Sequence, residues 1–144
     1  MSAARDVERA AVEIVRAAEV AHRWQPGPLL DQRAQHTEGC DFLSVPPNDG
    51  SAHRIEVKGW GGPLLAADGS FSYPADVTRE QFEHAKADPT TWRLEIVGNL
   101  TAVLAGSGQP QRLTLDGSEV VDRACCWRYH VRLDGLAERI DDGT

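Results

Sequence analysis

Several things are scarce in this chain. No apolar run approaches the roughly 20 residues that a bilayer-crossing helix needs, and Met1 to Arg9 is charged with no apolar core behind it. Neither a membrane span nor an export signal is therefore expected. The three cysteines, Cys40, Cys125 and Cys126, are odd in number and two are adjacent. That is a poor disulfide framework, and without a C-x-x-C pair a structural zinc site is not expected either. Reduced thiols in the cytoplasm are the expectation. The histidines, His22, His36, His53, His84 and His130, form no H-E-x-x-H pair. Gly59-x-Gly61-Gly62 is followed by no Lys-Ser/Thr, which excludes a Walker loop, and Ser44 lies in no nucleophile elbow. Basic charge is short as well: Lys plus Arg is 15 against 22 for Asp plus Glu, a net charge of −7. A free-standing nucleic-acid binder usually shows the opposite balance. Net charge does not fix local fields, however, and a metal site requires carboxylates.

The length of 144 residues suits one domain spanning 1–144 with a core of its own. Arg5 to Arg23 predicts a helix: it lacks Gly and Pro, is rich in Ala, and sets Val7, Ala11, Ile14, Val15, Ala18 and His22 on one face. Glu8 and Glu19 stand about three turns apart at the edge of that stripe, while Glu13 points to solvent. Pro26-Gly27-Pro28 stops the helix. Leu29 to Arg33 is expected to be a short strand, and Gly39 to Val45 a second. Pro46 to Gly50 is a turn, and His53 to Trp60 alternates polar and apolar with period two. The two runs predict an antiparallel hairpin. Further expectations are a strand over Phe71 to Val77, a helix from N-cap Thr78 and its capping-box partner Gln81 to about Ala87, and a strand over Trp92 to Gly98. Beyond these come a polar turn at Gly106 to Gln111, a strand over Cys126 to Leu133, and a frayed tail from Asp141.

Chemistry concentrates at Asp41 and Glu56-Val57-Lys58. Residues two apart on a strand share a face, so Glu56 and Lys58 point one way and Ile55 and Val57 the other. Across the hairpin, Asp41 can approach Glu56 closely enough to share an ion. Two carboxylates and a backbone carbonyl, that of Val57, suit Mg²⁺ or Mn²⁺. Such an ion polarises a phosphate and acidifies a bound water, and Lys58 can stabilise the charge that develops. Glu-x-Lys alone is a weak motif, and its plain alternative is a surface hairpin with a Glu–Lys pair. Trp60, beside the glycines, is the tryptophan placed to stack on a base; Trp24, Trp92 and Trp127 are expected in the core. His36 and His53 could neighbour the metal site, and Cys125-Cys126 is expected to be core.

The order of a helix, an Asp-bearing strand and a Glu-x-Lys strand resembles the PD-(D/E)XK nuclease superfamily. A closer resemblance is to the nuclease-related domain at the C-terminus of NO VEIN-like proteins. It runs from Val7-Glu8 and Ala11 through Glu19, Gly39-Cys40-Asp41-Phe42-Leu43-Ser44 and Arg54-Ile55-Glu56-Val57-Lys58-Gly59. It continues through Val77-Thr78-Arg79 and Phe82 to Leu94-Glu95-Ile96-Val97-Gly98-Asn99. The two middle segments are the most specific. The resemblance implies an α/β, restriction-endonuclease-like fold, a mixed central sheet of about four or five strands flanked by helices. It implies Asp41 and Glu56 as metal ligands, Lys58 as catalytic lysine and Glu8 as an auxiliary carboxylate. Gln81 stands where relatives tend to carry Glu, and Arg23 near where they carry Gly at the helix end. Gln81, Trp60 and Arg54 are the expected substrate contacts.

The activity expected is Mg²⁺-dependent hydrolysis of DNA, in restriction or phage defence, with an ATPase or helicase as a partner that the resemblance suggests. The alternative is a non-catalytic module of the same shape that binds nucleic acid or a protein. A dimerising scaffold is a third reading, which an exposed apolar edge strand in the C-terminal third would support.

Overall fold

A computed structural model describes residues 3–48, 50–124 and 129–143. The chain is a mixed α/β fold: a five-stranded sheet in the order β1-β2-β3-β4-β5, with helices on both faces. The elements are α1 (Ala3–Ala21), β1 (Gln25–Pro26), α2 (Gln32–Glu38), β2 (Phe42–Val45), β3 (His53–Gly59), α3 (Arg79–Ala87), β4 (Trp92–Gly98), α4 (Leu100–Leu104), β5 (Gln111–Asp116) and α5 (Gly117–Arg123). A single 3₁₀ turn covers Ala137–Arg139. β2 and β3 form the expected antiparallel hairpin, with Phe42 opposite Ile55 and Ser44 opposite His53. β3 and β4 are parallel, and β5 returns antiparallel to β4.

Period two along the central strands sorts the core into two layers. Ile55, Val57 and Val97 meet Ala11 and Val15 of α1, together with Phe42 and Leu100. Trp92, Leu94 and Ile96 face the other way, onto Ala85 of α3, Val120 of α5, and Leu113 and Leu115 of β5. Each such large side chain contributes about 1.5–3 kcal/mol when fully buried. The Trp92 indole N–H donates to the Gly39 carbonyl at 2.8 Å, so its polar atom is not stranded.

Local chemistry explains the ends. α1 closes where Arg23 takes φ 68°, a left-handed conformation that glycine adopts more cheaply. α3 begins as expected: Thr78 Oγ1 accepts from the Gln81 N–H at 3.1 Å, and Gln81 Oε1 accepts from the Thr78 N–H at 2.9 Å.

Other expectations are corrected. Leu29 to Arg33 is not a strand, because Asp31 Oδ1 caps α2 by accepting from the Ala34 N–H at 2.8 Å. Phe71 to Val77 makes only single bridges, Phe71 to Leu65 and Asp76 to His130, and Pro74 has no N–H for a ladder. Of Cys126 to Leu133, residues 126–128 lie outside the described residues, as do Cys125 and the expectations for the cysteine pair and Trp127. His130 and Val131 make single bridges only. Asp141 is not frayed: it exchanges two backbone hydrogen bonds of 2.7 Å with Arg112. His22 faces solvent, its Nδ1 bonded to the Ala18 carbonyl at 2.8 Å, because α1 ends just before it. Glu19 is buried, paired with Arg93; Arg93 also meets Glu95 at 2.7 Å and lies 5.0 Å from the Trp24 ring.

α4, β5 and α5 go beyond the sequence expectation. β5 is the edge strand, and it turns Arg112 and Thr114 rather than apolar residues to the face on which Glu95 lies. Among the described residues no helix is long and apolar enough to cross a membrane.

Gly39 ends α2 at φ 62°, and a Cβ there would lie 2.6 Å from the His84 ring and 3.0 Å from the Glu80 carbonyl oxygen. Gly39→Ala is expected to cost at least about 1–2 kcal/mol from the left-handed backbone alone, read as a lower urea midpoint. An unchanged midpoint would mean that α2 does not end against α3.

Candidate metal centre

Asp41 sits one residue before β2, where two backbone bonds and one to its side chain hold it. Its N–H donates to the Ile55 carbonyl at 2.9 Å, and its own carbonyl accepts from the Leu30 N–H at 2.8 Å. Its side-chain Oδ2 accepts from the Val57 N–H at 2.7 Å. β2 has not yet begun at this point, so β3 presents an open edge and Asp41 fills it in place of a strand. On a β-strand a residue's N–H and C=O point to the same edge, so the Val57 carbonyl faces the side occupied by Asp41.

Glu56 lies mid-strand with only 5% of its surface exposed. Lys58 shares its face, as period two requires, and places Nζ 3.1 Å from Glu56 Oε2. Lys58 Nζ also donates to Gln81 Oε1 at 3.2 Å. The amide that closes the α3 capping box therefore also fixes the lysine. Glu8, on α1, is close enough for its charge to act on Asp41.

Burial is the main influence on both carboxyl groups. It pushes Glu56 up to about 8, against the pull of the Lys58 ammonium, and the Asp41 charge pushes the same way. Burial raises Asp41 too, opposed by the Val57 N–H and by Lys58. The two carboxyls are hydrogen-bonded to each other, an interaction that raises Glu56 and lowers Asp41. Both carboxyls are thus held above their ordinary range, and their proximity disfavours charging both at once.

These groups open into a cleft of about 580 Å³ whose walls include Glu8, Asp41, Glu56, Lys58, Gly59 and Tyr73. Four expected site residues thus converge, and Gln81 joins them through Lys58. Two do not. Arg54 is engaged elsewhere: its guanidinium pairs with Glu38 at 3.0 Å and Asp88 at 3.4 Å, tying β3 to the ends of α2 and α3. Trp60 packs on Tyr73, with ring centroids 5.3 Å apart, and is not part of the cleft wall. His53 lies edge-on to Trp24 and His36 faces Glu80, so neither borders the cleft. Cys40 is buried next to Asp41, and burial pushes its thiol up to about 12, far from a reactive thiolate.

Compared with known protein families, curated proteins and solved structures, the chain matches none. The chemistry of this centre is therefore read from its own atoms.

Sequence reasoning missed Tyr73 and the arginines of α1, which also border the cleft. Tyr73 carried no local signal, since an irregular loop brings it there. Burial, then the charges of Asp76 and Glu56, raise its phenol, so it stays a protonated donor. A second cavity of about 500 Å³ lies beyond Tyr73, and its walls include His130, Arg132 and Asp134 but no carboxylate pair. Among the described residues no three His, Cys, Asp or Glu side chains are grouped to hold an ion. The expected donors are two side chains and a carbonyl.

Proposed function

We propose that this chain is a divalent-cation-dependent phosphodiesterase acting on DNA, with a restriction-endonuclease-like fold of the PD-(D/E)XK type. The observation that carries this reading is the convergence of the half-buried Asp41 and the buried Glu56 with Lys58 on the wall of one open cleft, Lys58 Nζ lying 3.1 Å from Glu56 and the Asp41 carboxylate held by the Val57 N–H. Two carboxyls that share one proton can exchange it for a cation. The donors are all oxygen, which suits Mg²⁺ or Mn²⁺. Asp41 and Glu56 would hold the ion, with the Val57 carbonyl on the same edge; bound there, it supplies Lewis acidity toward a phosphodiester and an acidified water.

The chain's own groups do the rest. Lys58, fixed by Gln81, puts a positive charge beside the pair, where it opposes the charge building on a phosphate under attack. Glu8 faces the same cleft as an auxiliary carboxylate and can take a proton from an attacking water. The Asp-bearing loop before β2, the Glu-x-Lys strand and a helix laid on the sheet support the superfamily assignment.

A second reading, the non-catalytic module, draws on a specific observation. Burial pushes the Glu56 carboxyl up to about 8, which favours its neutral form at neutral pH. A centre at rest in that form can recognise a partner without cutting it.

Thermal melting with and without Mn²⁺, beside plasmid nicking, separates the readings. At a cation concentration about 100-fold above Kd, the gain is about 2.7 kcal/mol, a melting shift of roughly 5–10 °C. Wild type is expected to show this shift and to nick, and Glu56→Gln to show neither. A shift without nicking leaves the binding module. No shift at all removes the metal centre.

A further inference from the structure

We propose that Arg5, Arg9 and Arg16 of α1 form a track for the sugar–phosphate backbone of one strand of a DNA duplex, leading it to Lys58. The substrate class rests on the phosphodiesterase reading; the contacts rest on residues outside the metal centre. At about 100° per residue, the three arginines lie within about 40° of one another on the helix. They are all the basic residues that α1 has, and all three border the cleft. The stripe runs about 16 Å along the axis, close to the rise of about five nucleotides in one strand.

The placement differs from an ordinary solvated face in two ways. First, the chain carries a net charge of −7, yet in this one cleft Arg5, Arg9, Arg16 and Lys58 match Glu8, Glu13, Asp41 and Glu56 in number. Charge parity there, with the excess of negative charge lying elsewhere on the chain, means that a polyanion is repelled less along the arginine stripe than over the rest of the surface. Second, Arg16 is held in place: its guanidinium carbon lies 5.8 Å from the Phe42 ring centroid, and Phe42 adjoins Asp41 in sequence. One end of the stripe is thus anchored beside the proposed ligand, while Arg5 and Arg9 are exposed further along the wall. A cleft of about 580 Å³ cannot enclose a duplex, but one backbone can lie along it. Arginine suits that task, because its fork donates to two phosphate oxygens at once.

The test is an anisotropy titration of a fluorescein-labelled DNA duplex over a salt series in Ca²⁺ buffer. Wild type is compared with R5Q/R9Q, which changes only exposed side chains, and with R33Q/R79Q, which removes the same charge outside the cleft. R5Q/R9Q is expected to bind about tenfold more weakly and to lose close to two units of salt slope, at about 0.9 per phosphate contact. R33Q/R79Q is expected to follow wild type, and R5Q/R9Q to keep its full Mn²⁺ melting shift. R5Q/R9Q binding like wild type would overturn the track, as would R33Q/R79Q losing as much affinity. A wild type that responds to Mn²⁺ but binds no DNA would overturn the track and leave the metal centre standing. Loss of both the Mn²⁺ response and DNA binding would remove the two together. Tighter binding of single-stranded DNA or of an RNA duplex would overturn the assignment to duplex DNA.

Discussion

In metal-free buffer at pH 8, the Glu56→Gln protein is expected to melt well above wild type, and near pH 4.5 the two are expected to converge. Burial pushes the Glu56 carboxyl up to about 8 in the folded chain from an ordinary value of 4.5. A raised value means that the fold binds this proton more tightly than the unfolded chain does. The stability that the proton confers is complete below 4.5 and is lost as pH rises toward about 8. Each pKa unit is worth about 1.4 kcal/mol, so the whole shift amounts to stability on the order of 4 kcal/mol, or roughly 10 °C of melting temperature. Glutamine keeps the neutral shape and has nothing to titrate. Asp41→Asn is expected to act in the same direction with a smaller effect, because Asp41 already has the Val57 N–H to offset its charge. A divalent cation inverts the profile, since it requires the carboxylate: the Mn²⁺ melting shift of wild type is expected to be larger at pH 8 than near pH 5. Identical pH profiles for wild type and Glu56→Gln would show that Glu56 holds no proton and that the centre is more open than described.

Replacing Lys58 by alanine is expected to lower DNA cleavage by about 10²–10³-fold, the usual cost of removing one preorganised group from a developing charge. Folding is expected to survive. With Lys58 gone, its hold on the Glu56 charge goes too, so Glu56 is more firmly protonated at neutral pH and no buried charge is stranded. Circular dichroism and the metal-free melting curve check that the fold survives. Retention of the Mn²⁺ shift separates a lysine that acts on the phosphate from one that merely supports the ligands. Cleavage that persists in Lys58→Ala would place the chemistry elsewhere in the chain.

Much of the scaffold around this centre was legible before any coordinates. Thr78 and Gln81 announce the start of α3 because a capping box satisfies two backbone N–H groups within four residues. Trp92 to Gly98 announces β4 by its enrichment in apolar and β-branched residues. Asp31 and Gly39 bracket α2 with an N-cap and a left-handed end, signals that a strand reading of Leu29 to Arg33 overrides wrongly. Leu113 and Leu115 alternate with polar neighbours in β5, and Asp116 with Glu119 form a capping box for α5. Both signals are short and local, and both lay in a stretch dominated by turn residues.

The sequence by itself determined the hairpin, the shared face of Glu56 and Lys58, and the nearness of Asp41, because strand periodicity and a connection of seven residues leave little freedom there. Tertiary structure alone decided which of these groups are charged and which are already engaged. Arg54 shares a face with Glu56 and Lys58 on β3, yet α2 and α3 bring Glu38 and Asp88 to it. Gln81 reads as a helix cap, but it also fixes Lys58, 23 residues away in sequence. Glu19 reads as a boundary charge and becomes buried because β4 presents Arg93. The cause is common to all three: periodicity and caps act over a few residues, whereas desolvation and ion pairing depend on elements far apart in sequence that meet only in the fold.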